Sequence, residues 1–333
     1  MESTGMPQAA DLATPEDLVA FPSPTEERNP RTMDIDSLAG DQIVERILTE
    51  DAAVLEALRT ATSAIAALTT AAVATLRGGG RIHYVGAGTS GRLGVLDAVE
   101  LRPTFGVGEE SVVAHLAGGP AAMFRSVEGA EDDLAAGRSD VADLRAGDLL
   151  VGLAASGRTP YVQAAMQHAR DLGVPTALMT ANPHGRLLEL ADIAIVLETG
   201  PEVVTGSTRM KAASAQKMAL NAFSTATMIQ LGKTYSNLMV DVAPSNGKLR
   251  ARVIRLITQA TGVSSDAAAA ALQAAEGDLK VALVSVLTGG QDPPISSDRI
   301  RDALRVSGGE VRTAVAVFTT AQPEHHHQHE ELT

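Results

Sequence analysis

Five short apolar runs, at residues 81–85, 111–116, 149–154, 175–180 and 193–197, alternate with stretches of helical period. Parallel strands cannot be joined by a tight turn, and a helix is the crossover that covers a face of the sheet while returning the chain to its start. The alternation therefore predicts an α/β fold: a parallel sheet flanked by helices, in three layers of flavodoxin-like type. In such sheets ligands bind at the carboxyl ends of the strands, in the loops that lead into helices. Before the first run, helical patterns are expected at 41–49 and 51–76, the second stopping at Gly78-Gly79-Gly80. The uncharged stretch 60–76 is mostly Ala and Thr and is expected as a buried helix, with no membrane span. A long helix is expected at 208–231, apolar nearly all round: Met218, Ala222, Thr225 and Ile229 form one stripe, Leu220, Phe223 and Leu231 another. Such a helix is covered on several sides, which points to a subunit interface.

The chain carries a formal net charge of -13 and only 2% aromatic residues. Nucleic acid is therefore not an expected partner, because it is held by clustered cations and stacked on aromatic faces. No Cys is present, which removes disulfides, thiolate metal sites and a Cys nucleophile together. The first residues lack a basic region followed by an apolar core, so a cytoplasmic location is expected. Residues 1–30, rich in Pro, Ser, Thr and acids, read as a disordered lead-in, 31–246 as the α/β domain with its N-terminal helices, and 247–320 as small helices. The polar tail 321–333 contains four His, which read as incidental, and no metal site is assigned.

Gly86 to Gly91 read GAGTSG directly after the first apolar run, matching the G-x-G-x-x-G pattern that brings backbone N–H groups to a phosphate at a helix start. A dinucleotide site also needs an acid at the end of the second strand to hold the ribose. Here that strand ends in Leu116-Ala117-Gly118-Gly119, and the nearby Glu109 and Glu110 precede it. A second loop, AASGRTP at 154–160, follows the third run, with Thr159-Pro160 reading as an N-cap and first helical residue. Gly88, Thr89, Ser90, Ser156, Gly157 and Thr159 thus become candidates for holding one phosphorylated ligand. A third loop, Thr205-Gly206-Ser207-Thr208, precedes Arg209 and Lys211; Ser207 is a candidate for ligand contact, and so are the cations Arg209 and Lys211, with solvent exposure as the competing reading for both cations.

Four stretches resemble the N-acetylmuramic acid 6-phosphate etherase family of the sugar isomerase (SIS) fold: TEERNPRTMDID at 25–36, GAGTSGRLGVLDAVELRPTFG at 86–106, VEGAEDD at 127–133, and the 36 residues from Gly206 to Asp241. The likeness runs from Thr25 to about Leu287, and the C-terminal helices resemble the family's ubiquitin-associated-like (UBA-like) module. One departure is that Ala213 and Ser214 stand where the family has Gly and Thr. The resemblance implies a phosphosugar substrate and cleavage of a lactyl ether, giving N-acetylglucosamine 6-phosphate and D-lactate in cell-wall amino-sugar recycling. In the opened sugar the C1 aldehyde acidifies the C2 hydrogen, so a base and an acid suffice and no cofactor is implied. The leaving oxygen calls for a carboxylic acid made less acidic by burial or a neighbouring charge. By resemblance Glu100 is that acid and Glu131 handles the C2 proton or the water, with exchanged roles left open. A helix from Ser90 to Val99 would set Glu100 roughly 15 Å from the phosphate end. Either that helix breaks early or Glu100 serves the neighbouring subunit of a homodimer whose site lies near the interface. A phosphosugar isomerase and a non-catalytic phosphosugar-sensing regulator of the same fold are the alternatives.

Overall fold

The computed structural model describes residues 23–241, 247–289 and 293–319. Two helices, α1 (Gly40–Thr60) and α2 (Thr62–Arg77), come first, divided at Ala61 and not near residue 50. The sheet follows: β1 (Ile82–Gly86), β2 (Val112–Leu116), β3 (Leu149–Leu153), β4 (Thr176–Thr180) and β5 (Ile193–Val196). The order is β2-β1-β3-β4-β5 and every pairing is parallel, so all five expected strands and the flavodoxin-like topology are present. The helices between them are α3 (Gly88–Phe105), α4 (Leu134–Ser139) and α5 (Pro160–Asp171), and α6 (Lys211–Gln230) follows β5.

Alternation along β1 feeds two layers. Ile82 and Tyr84 join a core with Leu68 of α2 and Phe223 of α6, whereas Val85 joins Val162 and Met166 of α5 on the other face. Tyr84 donates to Asp97 of α3 at 3.0 Å, and Ser224 of α6 donates to the other oxygen of that carboxylate at 3.0 Å. Of the two stripes expected on α6, Leu220 and Phe223 are buried, while Met218 and Ile229 face outward. Among the described residues no single helix is long and apolar enough to cross a membrane; α1 and α2 pass only as a pair, bent by 56°. α2 buries Ile65, Leu68, Ala72 and Val73 within the protein, as expected of the uncharged stretch.

A separate core belongs to the C-terminal helices α7 (Gly247–Thr261), α8 (Ser265–Ala274), α9 (Leu279–Leu287), α10 (Ser297–Val306) and α11 (Val311–Thr319). Val240 and the hairpin of β6 (Thr234–Tyr235) and β7 (Leu238–Met239) pack into it, so this core begins ahead of residue 247. It is fastened to the α/β domain by Lys280, which pairs with Asp241 at 2.8 Å and donates to the carbonyl of Gly232 at 3.0 Å. The lead-in expected to extend through residue 30 is packed from Ser23 onward, with Thr25 and Asn29 buried. Its first 22 residues, the boundary at 246 and the His-rich tail lie outside the described residues.

Within β1, buried His83 shares a 2.9 Å hydrogen bond with His115 of β2, and its other nitrogen lies 3.4 Å from buried Asp148. Burial, then His115 and Arg81, push His83 from 6.5 down to about 4, with Asp148 and Asp143 opposing. The unfolded chain therefore binds a proton between pH 6.5 and 4 that the native protein refuses, so this contribution is complete above pH 6.5 and lost as the pH falls towards 4. Denaturant unfolding should show stability falling across that window by up to about 3 kcal/mol from this group. His83→Gln should flatten the fall.

Candidate active site

The topology reverses between β1 and β3: the first crossover leads outward to β2, the second passes to the other side. The loops after β1 and β3 therefore part above the sheet. Both line one cleft of about 670 Å³, β1 contributing Ala87, Gly88, Thr89 and Ser90, β3 contributing Ala154, Ala155, Ser156, Arg158 and Thr159. The glycines explain how the first loop reaches it. A Cβ on Gly86 would sit 2.8 Å from the Gly91 Cα, and one on Gly91 would meet the Gly86 carbonyl oxygen and come within 2.6 Å of a Leu116 methyl. Strand and helix thus touch backbone to backbone. Gly88 takes a φ of +53°, which turns the chain straight into α3 and aims its first N–H groups at the cleft. Gln216 of α6 holds this loop by donating to the Ser90 carbonyl at 3.0 Å.

The second loop is held from behind. Asn182 donates to the Ser156 carbonyl at 3.1 Å, and Gly157, at φ +65°, passes so close to Gly185 that a Cβ would be 2.8 Å from its Cα. Gly157 shapes the turn and does not itself line the cleft. Thr159 is the N-cap of α5 with Pro160 at the first helical position, yet its hydroxyl makes no capping bond. Capping therefore does not account for that hydroxyl, and Thr159 lines the cleft.

The third wall is Gly206 and Thr208, with Glu26 beside them. Ser207 and the exposed Arg209 do not line it. α6 starts at Lys211, later than residue 208, because buried Glu202 accepts the backbone N–H groups of Lys211 at 3.0 Å and Ala212 at 2.9 Å. Burial pushes the Glu202 carboxyl up, and those two donors oppose it. The Lys211 ammonium, fully buried, pairs with Glu50 of α1 at 3.0 Å. Glu50 also accepts from Asn29 at 2.7 Å and from Arg31 through two nitrogens, Nε and, at 2.7 Å, Nη2. Arg31 is the largest influence, and against burial it brings Glu50 from 4.5 down to about 2, helped by Asn29 and Lys211.

The acidic stretch divides by task. Asp133 caps α4, accepting the Ala136 N–H at 2.8 Å, whereas Glu131 and Asp132 line the cleft. Their loop is tethered by Arg92 of α3, which donates to the Ala122 carbonyl at 2.8 Å. Glu100 is not brought there by its own chain. α3 runs unbroken from Gly88–Phe105, so an early break does not occur, and Glu100 stands exposed about 18 Å along the axis from the helix start. Glu26, Arg158, Asp132 and Thr208 line the cleft without having been singled out in the sequence. Arg158 and Thr208 lie within the second and third loop motifs, which already marked their neighbours; nothing local distinguishes Glu26 from Glu27.

Residues 64–170 match the family profile of the glucokinase regulatory protein N-terminal SIS domain, and residues 127–226 match that of the SIS domain. The chain is 52% identical over 266 residues to a protein from Thermobifida fusca (strain YX) named N-acetylmuramic acid 6-phosphate etherase, covering 80% of this chain and 88% of that one. A protein of the same name from Yersinia pestis (strain Pestoides F) is 47% identical over 293 residues, 87% of this chain and 98% of the other. Among solved structures, a phosphoheptose isomerase from Francisella tularensis is similar with a TM-score of 0.46 at 19% identity, over 57% of this chain and 98% of that chain.

The strand–helix contact gives a direct test of the first loop. Gly91→Ala should displace α3 from β1, lowering stability by about 1–3 kcal/mol as an overpacked core position does. Thermal unfolding and the binding of a phosphate ester, measured by calorimetry, should fall together.

Proposed function

This chain belongs to the N-acetylmuramic acid 6-phosphate etherase family, and from that premise we propose that it is a carbon–oxygen lyase releasing D-lactate from N-acetylmuramic acid 6-phosphate. The observation that carries the reading is the meeting of two helix-start loops with a carboxylate, Glu131, in a single cleft. The phosphate is bound by the N–H groups at the start of α3 and by the hydroxyls of Thr89, Ser90, Ser156 and Thr159. With its phosphate anchored there, the sugar chain extends towards Glu131.

Each step then has an owner. Ring opening exposes the C1 aldehyde, and Glu131 removes the acidified C2 proton. The electron pair forms the C2–C3 double bond as the C3–O bond breaks, and Glu100 protonates the departing lactyl oxygen. Water adds at C3, C2 regains a proton, and N-acetylglucosamine 6-phosphate results; one water is consumed for each lactate released. Such acid and base steps each contribute about 10²–10⁴-fold in rate.

Glu100 reaches the reaction from a second copy of the chain. Its neighbours on α3, Leu96 and Val99, are 47% and 63% exposed, and α6 presents Met218 and Ile229. Apolar stripes of this kind are the material of an isologous homodimer face, which carries each Glu100 to the partner's cleft. Charged phosphosugars do not cross a bilayer unaided, and the reading sets the protein in the cytoplasm.

Lactate assayed after incubation with N-acetylmuramic acid 6-phosphate should accumulate; a phosphosugar isomerase or a sensing regulator would release none. Glu131→Gln should lower kcat by about 10²–10⁴-fold and abolish wash-in of solvent deuterium at C2. Glu100→Gln and Ser156→Ala chains, each inactive alone, should recover about a quarter of the normal activity when mixed and allowed to exchange, since half the dimers then hold one intact site. No recovery despite proven heterodimers would leave Glu100 acting within its own chain.

A further inference from the structure

We propose that Glu26 is a sugar-binding carboxylate of this cleft, accepting hydrogen bonds from the hydroxyl groups of the phosphosugar, and that Glu50 is the positioning residue that holds it there. The identity of the sugar rests on the lyase reading above; the placement of the carboxylate does not.

The segment that carries Glu26 is nailed down residue by residue. Ser23 and Thr25 are buried and hydrogen-bonded to each other at 3.1 Å, and the Thr25 carbonyl accepts the Gly206 N–H at 3.0 Å. Asn29 reaches the Pro201 carbonyl at 3.2 Å, and the Thr32 hydroxyl donates to the Val203 carbonyl at 2.9 Å. Every one of these ties runs to its own segment or to the loop leading into α6, so the two form one wall. Glu26 is the residue of this segment that lines the cleft, and its carboxylate lies so close to Gly206 that a Cβ there would be 3.0 Å from Oε2. Among the described residues no ion pair or hydrogen bond occupies that carboxylate.

Chemistry decides what it faces. Elsewhere the cleft is lined by N–H groups and hydroxyls at two helix starts and by Arg158, where an anion belongs. A carboxylate on the Gly206 side repels the phosphate and accepts from donors, and the donors a phosphosugar offers are its hydroxyls. An ionised acceptor makes such bonds about twice as strong as a neutral one. The same charge keeps the lactyl carboxylate away from this wall. Glu50 does not line the cleft; it acts through Asn29 and Arg31 on one side and Lys211 on the other.

Calorimetry on the full-length chain, with N-acetylglucosamine 6-phosphate and separately with inorganic phosphate, tests this. Glu26→Gln and Glu26→Ala should weaken the phosphosugar by about 10- to 100-fold, as expected for loss of a hydrogen bond to a charged group, while inorganic phosphate binds no more weakly than before. In turnover KM should rise, with both limbs of the kcat pH profile retained. Glu50→Gln should weaken the phosphosugar too, and adding Glu26→Gln to it should cost no more, because the two act as one unit. Should Glu50→Gln fail to fold, Thr32→Val, which removes the bond to Val203, serves in its place. Undiminished phosphosugar binding by Glu26→Ala, loss of one pH limb, or tighter binding of the lactyl substrate by Glu26→Gln would each overturn the assignment. Wild-type protein that fails to bind the phosphosugar would instead overturn the lyase reading.

Discussion

A parallel sheet that sends one crossover to the left of a strand and the next to the right must open a gap above the strand ends where the two part. The gap above β1 and β3 is that place, and the rest of the site is arranged around it. Two helices, α3 and α5, begin at its rim, and each contributes roughly half a positive charge from its unpaired N–H groups. This is how a chain of net charge -13 can offer an anion a favourable seat. The potential is made locally, by backbone dipoles, hydroxyls and Arg158, and does not depend on the overall balance of side-chain charges.

The third wall is built differently, from charges taken out of water. A cation at the start of a helix opposes the helix dipole, and Lys211 occupies that position at the start of α6, fully buried. It is tolerated because Glu202 receives the helix's first N–H groups and Glu50 receives the ammonium. Isolated, either carboxylate or the lysine would cost several kcal/mol to bury; with all four carboxylate oxygens accepting hydrogen bonds and the ammonium paired, the cluster fixes one geometry for the wall.

The strands were legible because burial on both faces makes a parallel strand a continuous apolar run, and the loops because glycine and hydroxyl residues recur where strands become helices. What was hidden depended on partners far off in the chain. Ala61 carries no helix-breaking chemistry, yet the chain bends there to lay α1 and α2 around the sheet. Nor could the start of α6 be read locally, because Glu202 lies nine residues earlier. Glu26 sits in a Pro-rich acidic stretch that by composition resembles a lead-in, and only the ties of Thr25, Asn29 and Thr32 to residues 201–206 make it part of a wall. The reach of Glu100 was the reverse case: helical rise alone showed that it could not attend its own cleft along a continuous α3.

The pairing of Glu50 with Lys211 spans 161 residues of sequence. On a ribosome the N-terminal helices emerge before the sheet, but their central carboxylate has no ammonium to meet until the whole sheet and the head of α6 have been made. This contact of the N-terminal helices with the head of α6 therefore cannot form until nearly all of the α/β domain has been made. Closure of the third wall requires everything between to have been translated, so an incomplete chain has no finished cleft with which to capture a metabolite.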